Sequence, residues 1–147
     1  RYIKAGVDEI DMVANYGLAR SGDWDAVLAD IQAVAGPAKA AGTVLKVIFE
    51  TAHLDAPQIV KLTEIAVDAG ADFVKTSTGF NGDGAKEADV RLMLDTAGGR
   101  ARVKPSGGIR DADTARRFIE MGAARLGVGW TACAAICEGG SASGGGY

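Results

Sequence analysis

Two lysines stand in contexts that suit carbonyl chemistry: Lys75 in FVKTSTGF (73–80) and Lys104 in VKPSGGIR (103–110). An amine attacks a carbonyl only when unprotonated, and a lysine free in neutral water is almost wholly protonated. Partial burial and a second ammonium nearby both lower an amine's pKa, which is how Schiff-base lysines are activated. The same two lysines would also serve in a charge-balanced network with Glu9, Asp11, Lys46 and Glu50, and their positions alone do not separate the two readings. Asp11, in EIDMV, is the carboxylate best placed to contact Lys104. It would act there either in proton transfer or as a structural counter-ion.

Glycine-containing turns follow these segments. Thr78-Gly79 comes after the first lysine, Ser106-Gly107-Gly108 after the second, and Gly127 and Gly129 flank Val128 before a short helix. Glycine lets backbone N–H groups approach a phosphate, and a helix N-terminus adds a favourable dipole. Each pair would equally serve as a plain tight turn; two on adjacent late strands favour phosphate binding. Other candidates have plainer readings. His53 has no metal-ligand partners at a suitable spacing and is read as a surface residue. Trp24 and Trp130 lack basic or aromatic companions and are read as packing residues, as are Cys133 and Cys137.

The elements that must position these residues follow a βα rhythm. Strands are expected at 8–14, 44–50, 72–77, 102–106 and 125–128, with helices at about 24–41, 56–69, 88–97, 111–121 and 131–138. Gly42, Gly70, Gly98 and Gly122 supply left-handed ends to the first four helices. Direct helix-to-strand junctions such as AGADF predict a parallel sheet. Successive strand residues face opposite sides. Glu9, Asp11 and Val13 therefore share a face with Lys46, Ile48 and Glu50, with Phe73, Lys75 and Ser77, and with Arg102, Lys104 and Ser106. The opposite face is apolar. A doubly wound sheet would be apolar on both faces, whereas a (β/α)8 TIM barrel points a polar set inward. A complete barrel takes about 250 residues. This chain accordingly reads as units four to eight, with residues 1–138 forming a partial barrel domain and 139–147 a flexible Gly/Ser-rich tail.

Composition narrows the function classes. With 147 residues, 48% hydrophobic, the chain has material for one cored domain. A net charge of -3 with scattered lysines makes nucleic acid an unsuitable partner. No apolar run nears the roughly 20 residues needed to span a bilayer, and no secretory leader pattern opens the chain. Cys133 and Cys137, four apart, suit free thiols in a reducing cytoplasm. The opening RYIKAG reads as the end of a helix closed by Gly6, so an upstream segment is expected. Without it, the sheet would carry open edges that aggregate or require a complementing partner.

EIDMVANYG, LKVIFET, ADFVKTSTGF and VKPSGGIRD, in this order and spacing, resemble deoxyribose-phosphate aldolase, a class I aldolase on a (β/α)8 barrel. The resemblance spans essentially the whole chain. It implies that Lys75 forms the Schiff base, Lys104 is the neighbouring ammonium, and Asp11 is the proton-relay partner. It also implies that Gly79, Gly107, Gly108 and Gly127 bind the 5-phosphate and that a terminal tyrosine, here Tyr147, assists proton transfer. The implied reaction is reversible cleavage of 2-deoxy-D-ribose 5-phosphate to D-glyceraldehyde 3-phosphate and acetaldehyde, with no metal or organic cofactor, in a homodimer or larger assembly. Alternatives are a Schiff-base aldolase for another sugar phosphate and an inactive phosphate-binding half-barrel. Where the family carries GTSS or GASS after its last strand, this chain has Gly127-Val128-Gly129-Trp130. Weaker phosphate affinity is the expectation, unless Thr131 substitutes for the missing hydroxyls.

Overall fold

Short β-branched segments form β1 (Glu9–Val13), β2 (Val44–Ile48), β3 (Phe73–Lys75) and β4 (Arg102–Lys104). In the computed structural model, which describes residues 1–142, these strands pair parallel in sequence order. The register aligns Asp11, Lys46, Phe73 and Arg102 in one row and Val13, Ile48, Lys75 and Lys104 in the next. Strand parity thus carries the charged set to one face, as expected from a period of two.

Helices cover the other face. They are α1 (Tyr16–Ser21), α2 (Trp24–Ala40), α3 (Ala56–Asp68), α4 (Glu87–Ala97), α5 (Ala112–Met121) and α6 (Trp130–Cys137). Their starts have local causes. Asp23 and Asp111 accept N–H groups of the first turns of α2 and α5, and Asp55 with Gln58 closes a reciprocal capping box on α3. Val27 and Ile31 of α2, Ile59 and Leu62 of α3, Met93 of α4 and Phe118 of α5 pack with Leu45, Val47, Phe49, Val74 and Val103 of the strand segments. Each such burial contributes about 2 kcal/mol. The helix side therefore stabilises the sheet and leaves the other face free to hold charges.

The structure departs from the expected elements in three places. The strand expected at 125–128 is a single bridge, Ser106 to Gly127. The chain still follows β4, through Ala124 N–H to Val103 O at 3.1 Å and Gly127 N–H to Pro105 O at 2.7 Å. Pro105, however, offers no N–H to continue the ladder. Helix α1 was not anticipated; its cap is Asn15, whose side chain accepts the Leu18 N–H at 3.1 Å. The first residues of the Gly/Ser-rich tail are docked: Ala112 N–H donates to Gly140 O and Ala142 N–H to Arg110 O, each at 2.9 Å. The opening residues form a 3-10 turn, Ile3–Ala5, closed by Gly6 in the left-handed region.

Candidate active site

Parallel register sets Lys75 beside Lys104, and Asp11 beside Lys46, on the charged face. Their side chains converge. Asp11 Oδ2 accepts from Lys75 Nζ at 3.0 Å and from Lys104 Nζ at 3.4 Å, while Oδ1 accepts from Lys46 Nζ at 2.6 Å. Because Lys75 and Lys104 contact one oxygen, their ammonium groups lie within a few ångströms of each other. Lys46 also pairs with Glu9 at 2.8 Å, and Glu9 in turn accepts from Arg125. The lysine pair and the charge-balanced network are therefore one arrangement. Glu50 stands apart, since its carboxylate turns to Thr78. Lys46, only 3% exposed, is the member whose part the sequence reading understated; its signal was inward parity opposite Asp11.

This clustering sets the electrostatics. Burial would raise the Asp11 pKa, but hydrogen bonds from Lys46 and Lys75 and the charges of Lys75 and Lys104 outweigh it and hold the group at about 2. Glu9 is held at about 2, first by its hydrogen bond from Arg125 and then by that from Lys46. Burial pushes Lys104 below the ordinary lysine value, reinforced by the adjacent Lys75 and opposed by Asp11. Lys46 goes up despite its burial, because Asp11 and Glu9 both hold its charged form. A depressed carboxylate contributes stability above its unfolded pKa and loses it as pH falls through the folded value. Thermal stability should therefore decline between about pH 4 and pH 2. Melting curves across that range in the protein and in Asp11→Asn check this, the variant showing the shallower decline.

Turns beyond the lysine strands close over one end of the sheet. Gly79, Gly107 and Gly108 all have positive φ, at 91°, 85° and 75°. The turns are in contact: a Cβ on Gly84 would sit 2.2 Å from Gly107 O, and one on Gly127 would sit 2.1 Å from Ser106 Oγ. Only glycine allows either approach. The Ser106 N–H donates to Thr76 Oγ1 at 3.0 Å, and the Thr76 hydroxyl donates to Ser106 O at 3.1 Å, tying the segment after β3 to that after β4. Ser77, 1% exposed, has a buried hydroxyl with no hydrogen-bond partner among the described residues, and its Cβ lies 3.7 Å from the position a Gly107 Cβ would take. Neither Ser77 nor Gly84 was singled out from sequence, although Ser77 has the inward parity of Lys75.

Comparison with known proteins decides the family. The model of the DeoC/LacD family aldolases matches residues 1–139. The chain belongs to the DeoC/LacD aldolase family. It is 52% identical over 145 residues to a deoxyribose-phosphate aldolase of Mannheimia succiniciproducens, covering 99% of this chain and 63% of the relative. It is 51% identical over 125 residues to deoxyribose-phosphate aldolase 1 of Staphylococcus aureus strain Mu50, covering 85% of this chain and 56% of the relative. Among solved structures, the tetrameric deoxyribose phosphate aldolase of Aeropyrum pernix superposes with a TM-score of 0.77 at 33% identity, over 86% of this chain and 53% of that one. The chain thus spans less than two thirds of these relatives, and its four-stranded parallel sheet with flanking helices is part of the DeoC/LacD barrel.

Around this DeoC/LacD frame, several residues sit differently from their sequence reading. His53 lies in the 3-10 turn Thr51–His53 and is half-buried, its ring stacked on Tyr16 with centroids 5.1 Å apart. Trp24 does pack against the core, but Trp130 is 84% exposed at the start of α6. Cys133 and Cys137 are free and exposed, not packing residues. The WTACAAIC segment is apolar or small nearly all round, so no stripe indicated which side would face out. Gly129 begins α6 without a side-chain cap, and Thr131 is exposed. Tyr147 lies outside the described residues. Among the described residues no group of three or more His, Cys, Asp or Glu could hold a metal ion, and no helix is long and apolar enough to cross a membrane.

Proposed function

We propose that this chain carries the Schiff-base centre of a deoxyribose-phosphate aldolase, cleaving 2-deoxy-D-ribose 5-phosphate reversibly to D-glyceraldehyde 3-phosphate and acetaldehyde. The observation that supports it most is the convergence of Lys75 and Lys104 on Asp11 Oδ2. Lys75 Nζ attacks the C1 aldehyde of the open-chain sugar, and loss of water gives a protonated imine. The products are a two-carbon aldehyde and a three-carbon phosphate, so the bond that breaks is C2–C3. Its electrons flow into the imine as the C3 hydroxyl gives its proton to the Asp11 carboxylate, leaving an enamine on Lys75 and releasing glyceraldehyde 3-phosphate. The enamine carbon then takes a proton through the Asp11 and Lys104 pair, with Tyr147 assisting. Water hydrolyses the resulting imine to acetaldehyde and free Lys75. Asp11 holds Lys104 charged beside the reacting nitrogen, which favours the electron flow toward it.

Phosphate binding falls to the turns formed by Thr78, Gly79, Ser106, Gly107, Gly108, Gly127 and Gly129; the N–H groups of Thr78, Ser106, Gly107 and Gly127 already donate within the protein, so those of Gly79, Gly108 and Gly129 are the donors assigned to phosphate. The Thr78 N–H and hydroxyl both donate to Glu50, and its hydroxyl oxygen accepts from the Phe80 N–H, so this residue acts by shaping the turn that presents Gly79. Loss of hydroxyls at 128–130 leaves a weaker grip than in relatives carrying serines there. Ala142 N–H donates to Arg110 O, two residues beyond Gly108. Self-association, as in the tetrameric Aeropyrum relative, and a cytoplasmic setting suited to the free thiols belong to the same proposal. The test is a coupled assay of both products from 2-deoxyribose 5-phosphate. Equimolar acetaldehyde and glyceraldehyde 3-phosphate are expected; a folded protein that yields neither contradicts the proposal.

A further inference from the structure

Glu50 follows β2 and has φ 57° and ψ 59°; among the described residues it is the one non-glycine with positive φ. A side chain is costly in that region, and glycine would occupy it freely. What glycine could not supply is the carboxylate, which is buried with the residue only 2% exposed. Both of its oxygens go to one residue: Oε1 accepts the Thr78 N–H at 3.0 Å and Oε2 accepts the Thr78 hydroxyl at 2.5 Å. The Thr78 oxygen then accepts the Phe80 N–H at 3.1 Å. Among the described residues no ion pair includes Glu50, so this charged acceptor is committed wholly to the turn that follows the Lys75 strand. That turn contains Gly79, whose Cα lies 3.3 Å from where a Gly107 Cβ would be.

We propose that Glu50 is a positioning residue that fixes the Thr78–Gly79 turn against the Gly107 turn and so aims the Gly79 N–H at the phosphate of the substrate. This rests on the reading of Gly79 as a phosphate contact. Sequence parity counts Glu50 among the inward charges, but its left-handed backbone takes it out of the lysine network and into the loop frame. A carboxylate accepting an N–H and an O–H at once is a stronger brace than an amide, whose NH₂ cannot accept.

The test uses Glu50→Gln and Glu50→Gly, the second of which also relieves the backbone. Losing a charge-assisted hydrogen bond should speed amide exchange at Thr78 and Phe80 and raise KM for 2-deoxyribose 5-phosphate, each by about tenfold. KM for unphosphorylated 2-deoxyribose, and the borohydride-trapped acetaldehyde adduct on Lys75, should not move. A merely structural role would damage both substrates alike, and that outcome overturns the proposal, as does unchanged exchange at the two amides. If the unaltered protein forms no adduct, the aldolase reading fails by itself. Exchange at Thr78 and Phe80 then decides the role of Glu50 as the brace of this turn.

Discussion

Alanine at position 75 is expected to lower cleavage of 2-deoxyribose 5-phosphate by about 10,000-fold or more, as removal of a covalent nucleophile does in other enzymes. Lys75 ends β3, is 7% exposed, and has its Nζ 3.0 Å from Asp11 Oδ2. On the proposed mechanism no imine forms without it, and the electrons of the C2–C3 bond have no acceptor. The fold should survive, because Asp11 keeps Lys46 and Lys104 as partners and the apolar side of the sheet is untouched. A stability change near 1 kcal/mol is expected. Product assays and urea unfolding on the same preparation separate loss of chemistry from loss of structure.

Asparagine at position 11 should act differently. It keeps the shape of the side chain but removes the charge shared by three ammonium groups. Breaking a partly buried ion cluster from the carboxylate side costs about 2 kcal/mol, the remaining lysines being left to repel one another. Of the three, only Lys46 retains a second carboxylate among the described residues, Glu9. Lys75 and its place at the end of β3 are unaltered, so imine formation with acetaldehyde should persist. Turnover should fall by about 100- to 1,000-fold, because proton transfer to and from the enamine loses its carboxylate. Trapping that persists while turnover collapses marks Asp11 as a proton-transfer group. If turnover instead falls only as far as unfolding explains, Asp11 is a counter-ion alone.

Much of this site could be read from the sequence because strand periodicity is exact. A two-residue repeat carries Asp11, Lys46, Lys75 and Lys104 to one face whatever the loops do, and capping residues such as Asp23 and Asp55 mark helix starts locally. The partner of each charge could not be read the same way. Asp11 lies opposite Lys46 only because the register aligns them, and register is a property of two strands together. Glu50 was illegible for a sharper reason: parity extends β2 inward through it, whereas the backbone turns left-handed there to reach Thr78. Pro105 ended a ladder that apolar pattern alone would continue, and α1, six residues with Gly17 in its first turn, is too short to show a helical period.

The central claim is that Lys75, and no other amine of this chain, carries the carbon that is cleaved. Borohydride reduction in the presence of acetaldehyde, followed by peptide mass mapping, tests it directly. A reduced two-carbon adduct on the peptide containing Lys75, absent from Lys75→Ala, is the predicted result. An adduct on Lys46 or Lys104 in its place, or none in a folded protein, would contradict it.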